Sequence, residues 1–131
     1  GHFTTNCNRE DLMAFKLDEI KRIASGDRQF MIELINICIE QFSMLPLQLK
    51  QAFDNLETKE ILNLMHKIKP SIKMLNNWAL DHSAKELVKC FKDDATSEKN
   101  RREHLDHFST VTRQINEKLK GKAAELQETI S

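Results

Sequence analysis

Residues that make turns and sheets are scarce in this chain of 131 residues, which has three Gly, two Pro, one Trp and no Tyr. Such a composition starves tight turns and strands, and with 40% apolar and 31% charged residues it points to an all-α domain. Net charge is missing too. Twenty basic residues balance twenty acidic ones, so no overall field exists to hold nucleic acid or an anionic membrane by counterion release. No uninterrupted apolar run approaches the roughly 20 residues that span a bilayer, and no charged-then-apolar leader opens the chain; membrane insertion and secretion are therefore not expected. Cys7, Cys38 and Cys90 lie far apart with no CxxC pair. That fits neither a zinc site nor a disulfide framework, and implies a reducing cytosol. No Gly-rich loop is present to cradle ATP phosphates.

What is present is enough for a core, because a chain of this size folds as one domain and buries roughly two-thirds of its unfolded surface. Gly1-His2 reads as a cleaved-tag remnant and residues 1–16 as a lead-in arm; residues 17–120 read as a helical bundle and 121–131 as a charged tail. A short helix is expected over 17–25, with Leu17, Ile20, Ile23 and Ala24 on one side and Gly26-Asp27 as C-cap glycine and next N-cap. From Asp27 to about residue 56, Met31, Ile35, Cys38, Phe42, Leu45, Leu49, Ala52 and Leu56 recur at spacings of four and three. Pro46 inside this stripe is expected to bend the helix without ending it. Thr58 is read as the cap of a third helix to Trp78, carrying Ile61, Met65, Ile68, Ile72 and Leu75 inward, and Asp81-His82-Ser83 as the break after it. A fourth helix over 83–92 and a fifth over 97–120 follow, the last placing Leu105, Phe108, Val111, Thr112, Ile115 and Leu119 inward and stopping near Gly121. Loops of two to five residues favour antiparallel neighbours, hence an antiparallel four-helix bundle with a short additional N-terminal helix. Trp78 and the Phe residues read as core anchors, Cys38 and Cys90 as packed thiols, and Cys7 as an exposed one.

One constellation carries chemistry. At about 100° per residue, with His66 at zero, the apolar set of the third helix centres near 220°, so His66 points to solvent. Lys69 and Lys73 share its face, and Pro70 lacks the amide that would bond the His66 carbonyl. An imidazole in water is largely neutral at pH 7 and offers a ring-nitrogen lone pair to phosphorus, while the ammonium groups can steady a charged adduct. Residues 58–77 hold four Lys against one Glu inside a neutral chain. His104 and His107, beside Glu103 and Asp106, stand one turn apart, but the chain has no Glu-x-x-His motif of the di-iron kind; no metal and no intrinsic cofactor is expected.

The run Met65-His66-Lys67-Ile68-Lys69-Pro70-Ser71-Ile72-Lys73-Met74-Leu75-Asn76 resembles the phospho-accepting helix of histidine-containing phosphotransfer (HPt) domains. In that family an aliphatic residue follows the His two positions later and a Lys three later. The likeness extends over about residues 15–119 in helix order and loop placement, including Ser25-Gly26-Asp27, Phe30 and Pro46. It implies that His66 is the phosphoacceptor and Lys69 its phosphate-side partner. Family members commonly carry Gly where Pro70 and Asn76 stand, and the small residue at the second position is expected to leave room for the docking partner. The implied partners are response-regulator receiver domains, which bring the phospho-aspartate and the Mg²⁺, and a hybrid sensor histidine kinase in cis is compatible with the pattern. The implied activity is phosphotransfer without ATP-dependent kinase activity of the chain's own.

For the docking face, Ile37, Gln41, Met44 and Gln48 fall within about 60° of each other off the core stripe, at a height beside His66 if the helices are antiparallel. Leu62 completes that rim. Two other readings stand beside this one: a non-catalytic helical interaction module, and the dimerisation and phosphoacceptor bundle of a sensor kinase. The latter wants an acidic residue directly after the His, where Lys67 stands, and a dimer to complete four helices. This chain has enough helix to do so alone and is expected to be a monomer, cytoplasmic by itself or as the cytoplasmic part of a membrane-bound kinase.

Overall fold

The structure, a computed structural model, describes residues 17–130. The lead-in arm and Cys7 lie outside the described residues. Among the described residues the chain is all-helical: α1 (Asp18–Ile23), α2 (Arg28–Asp54), α3 (Thr58–Leu75), α4 (Trp78–Lys92) and α5 (Glu98–Ile130). Helix α2 touches α3 and α5, α4 touches the same two, and α1 packs against α2 and α3.

Local chemistry sets most of the helix ends. Asp27, in extended conformation, accepts a hydrogen bond from the Phe30 N–H at 3.1 Å and starts α2. The α2 stripe from Met31 to Ala52 is buried, with Ile35, Cys38 and Leu49 fully so. Leu56, expected to continue it, is instead 82% exposed at φ 58° in the turn beyond the helix end. Helix α2 runs unbroken across Pro46. Its length and composition would suit a membrane crossing, with a mean hydropathy of 1.4 over 18 residues. Its uninterrupted apolar runs stay short because Glu33, Asn36, Glu40, Gln41 and Ser43 break them, while the mean over the longer window stays high. In the fold its apolar stripe is taken up by the core.

The junction between α3 and α4 is not where the Asp-His-Ser cluster suggested. Asn76 adopts the left-handed conformation (φ 48°, ψ 46°) that closes α3, and Asn77 caps α4, its side-chain oxygen accepting from the Leu80 N–H at 2.9 Å. An Asn-Asn pair can do both, since a short amide side chain tolerates positive φ and also mimics the backbone acceptor a helix start needs. Asp81, His82 and Ser83 then lie in the first turns of α4, with the Ser83 hydroxyl donating to the Leu80 carbonyl. Trp78 opens α4 and is no core anchor: it is 58% exposed and stacks on His82 at a centroid distance of 4.6 Å. Thr58 is likewise the first residue of α3 and not its cap, the N-cap Glu57 making no side-chain capping bond. Ile20 in α1 and its C-cap residue Ala24 are buried, but Ile23 is exposed.

Ser97 caps α5, its Oγ accepting from the Asn100 N–H at 3.1 Å. The inward residues from Leu105 to Leu119 are all buried as their spacing requires. The helix does not stop at Gly121 but continues to Ile130, because Ala123 and Leu126 keep the period and pack against the edge of the core. Each fully buried Leu, Ile or Phe contributes about 1.5–3 kcal/mol, and both α2 (Ile35, Phe42, Leu49) and α5 (Phe108, Ile115, Leu119), which pack on each other, supply such residues. Arg101 fastens α5 to the end of α4, donating to the carbonyls of Cys90 and Asp93 at 3.1 Å each while its guanidinium lies 5.2 Å from the Phe91 ring centroid.

Candidate functional site

Helix α3 presents His66 because its apolar residues are committed elsewhere. Ile61, Leu64, Met65, Ile68, Ile72 and Leu75 are buried, which turns His66, Lys67, Lys69, Pro70 and Lys73 outward, and all five are exposed. Pro70 lies within the continuous helix and has no N–H for the His66 carbonyl. The back of the helix is tied down by Ser71, which is buried and donates its hydroxyl to the Gln41 side-chain oxygen on α2. Ser71 also hydrogen-bonds the Cys38 thiol, a contact that only partly offsets the burial pushing that thiol from 9.0 to about 11. Cys90 is pushed up as well, by burial first, with the Arg101 charge opposing it.

His66 lines a groove of about 670 Å³ between α3 and α4. Leu62, Met65, Ile72, Ala84 and Val88 supply apolar walls, and Lys69, Lys85, Lys89 and Lys92 supply four positive charges against Asp81 and Asp93. Lys85 is paired with Asp81 at 2.8 Å. Among the described residues, Lys69, Lys89 and Lys92 make no ion pair within 4 Å.

Of the residues singled out in the sequence, His66, Lys69 and Leu62 come together in this groove. Lys73 lines a neighbouring depression with Asn76, Trp78, Asp81 and Lys85. Gln41, Met44 and Gln48 line a different groove, between α2 and α3, with Leu64, Lys67 and Ile68. The expected rim is thus divided between two sides of α3. Ile37 and Met44 are about half exposed, at 51% and 53%. The lysines of α4 were missed; Lys85 and Lys89 are spaced four apart on one helix face, but only the position of the α3–α4 junction shows that this face meets His66. His104 is half-buried and His107 exposed, and no group of three or more metal-ligating side chains occurs among the described residues.

Comparison with known proteins adds no relative: no family model, no curated protein and no solved structure matches the chain.

Proposed function

We propose that the four long helices form an antiparallel four-helix bundle, with α1 as a short additional helix, and that this bundle is a phosphorelay intermediate of the HPt kind. His66 accepts a phosphoryl group from a receiver-domain aspartate and passes it to a second receiver. The observation that carries the reading is an exposed imidazole on α3 with Lys69 one turn away and Pro70 in the next turn, on a helix whose other side is buried. A ring-nitrogen lone pair attacks phosphorus, the bond to the aspartyl oxygen breaks, the carboxylate leaves with the electron pair, and the ring N–H proton passes to solvent. The transition state is loose and in line, so positioning and charge supply most of the catalysis. Lys69 offsets the charge on the phosphoryl oxygens, Lys73 and Pro70 support the site, and Ile37, Gln41, Met44, Gln48 and Leu62 offer the partner apolar and amide contacts. The receiver brings Mg²⁺ and its acidic ligands. The bundle acts as a monomer in the cytosol, alone or as part of a hybrid sensor kinase.

Incubation with phosphorylated receiver domains tests this directly. His66→Gln should keep the fold and lose all labelling, and the wild-type adduct should be lost in acid and persist in alkali as a phosphorus–nitrogen bond does. Unchanged labelling of the variant, or labelling at His104 or His107, would sink the assignment.

A further inference from the structure

The lysines that face His66 across the groove belong to α4, and the phosphotransfer reading gives them no task. Lys85 is engaged by Asp81. Lys92 lies beside Asp93 at the far end of the groove, where Asp93 also closes the helix. Among the described residues Lys89 makes no ion pair within 4 Å: Glu86, three residues before it, lies 3.9 Å from His82, and Asp93, four residues after it, lines the same groove without pairing to it. In an antiparallel pair joined at Asn76-Asn77, residues equally far from the junction face each other. The position level with His66 is then about residue 87, and Lys89 stands roughly 3 Å further along the axis. Lys69 approaches from the other direction on α3. By height along the two helices, His66 therefore stands between Lys69 on α3 and Lys89 on α4, in a groove whose apolar lining includes Leu62, Met65 and Val88.

We propose that Lys89 completes a two-lysine anion seat at His66, holding the phosphoryl dianion carried on the imidazole nitrogen between α3 and α4. This rests on the phosphotransfer reading and adds a specific group to it. Two cations from separate helices restrain the phosphoryl group in direction as well as in charge, which a single flexible lysine does not. Both favour the dianion over the monoanion, so the second ionisation of the phosphoryl group shifts to lower pH when both are present.

The test uses phosphoramidate as a small-molecule donor: its P–N bond breaks, ammonia leaves, and a new P–N bond forms to the imidazole. Phosphorus NMR then follows phospho-His66 against pH in wild type, Lys89→Ala, Lys89→Arg and Lys67→Ala, the last removing a lysine that lines the opposite groove. In Lys89→Ala the phosphoryl titration should move up by about half a pH unit and the adduct should hydrolyse several times faster. Lys89→Arg should restore most of both effects, and Lys67→Ala should change neither. A phospho-His66 titration that is identical in wild type and Lys89→Ala overturns the seat and leaves the phosphotransfer reading standing. Failure of phosphoramidate to label His66 in the folded wild-type chain, with label on other histidines, overturns both.

Discussion

Lys69 and Lys73 stand on one exposed face of α3 but differ in what surrounds them: Lys69 lines the groove with His66, while Lys73 lines the next depression, towards Trp78. A charge-assisted contact is worth about 1.5–3 kcal/mol when shielded and less when wet. Lys69→Ala should therefore slow phosphoryl transfer roughly tenfold, with a smaller effect from Lys73→Ala, measured as transfer rates from a phosphorylated receiver. Cys38 makes a residue-scale prediction about stability. Its folded thiol keeps the proton up to about pH 11, whereas the unfolded thiol loses it near 9. Between those values the unfolded state binds fewer protons, so stability present below pH 9 is lost as pH rises towards 11, by roughly 2 kcal/mol. Denaturant midpoints collected from pH 8 to 11 should fall more steeply for wild type than for Cys38→Ala, which lacks the thiol.

Among the elements, the α3–α4 junction concentrates the most structural work in the fewest residues. Asn77 is buried to 1% exposure and holds the first turn of α4 through the Leu80 N–H. Asn77→Ala should cost about 1–2 kcal/mol in chemical denaturation, and Asn76→Gly should be neutral or stabilising by a few tenths, because glycine reaches the left-handed cap without a Cβ penalty. Asn76 closes the helix at φ 48°, a conformation that glycine adopts without strain. Since the junction also sets which α4 side chains stand level with His66, a misplaced helix end would misplace the site.

At the scale of the whole molecule, the two sides of α3 separate two kinds of surface. The α2–α3 groove carries Met44, Gln41 and Gln48, while the α3–α4 groove carries His66 and the lysines. Met44 is half exposed. If a receiver covers both sides of α3 in docking, Met44→Asp should weaken its binding by about 1 kcal/mol or more while leaving Tm nearly unchanged. Calorimetric titration with a cognate receiver, set beside a thermal melt, separates the cases: a Tm lower by several degrees with unchanged affinity would place Met44 in the packing and move the docking face to the other flank of α3, towards Met74; Asn77, the other residue expected there, is buried as the cap of α4.

The helical class, the inward residues of α2, α3 and α5, and the outward placement of His66 and Lys69 are all periodic properties. A period of 3.6 is written in the chain itself and needs no partner to be read. Asp27 was legible as a cap for the same reason, since a capping side chain bonds within its own first turn, whereas Ser97, expected as the first helical residue, is the cap. The junction at Asn76-Asn77 was harder, because Asp, Ser and Asn all suit helix starts and only the competition between neighbouring elements selects one. The exposure of Trp78, the run of α5 past Gly121 and the place of Lys89 in the groove that His66 lines were not legible at all. They depend on which helix lies against which and at what height, and that is decided by packing between residues distant in sequence.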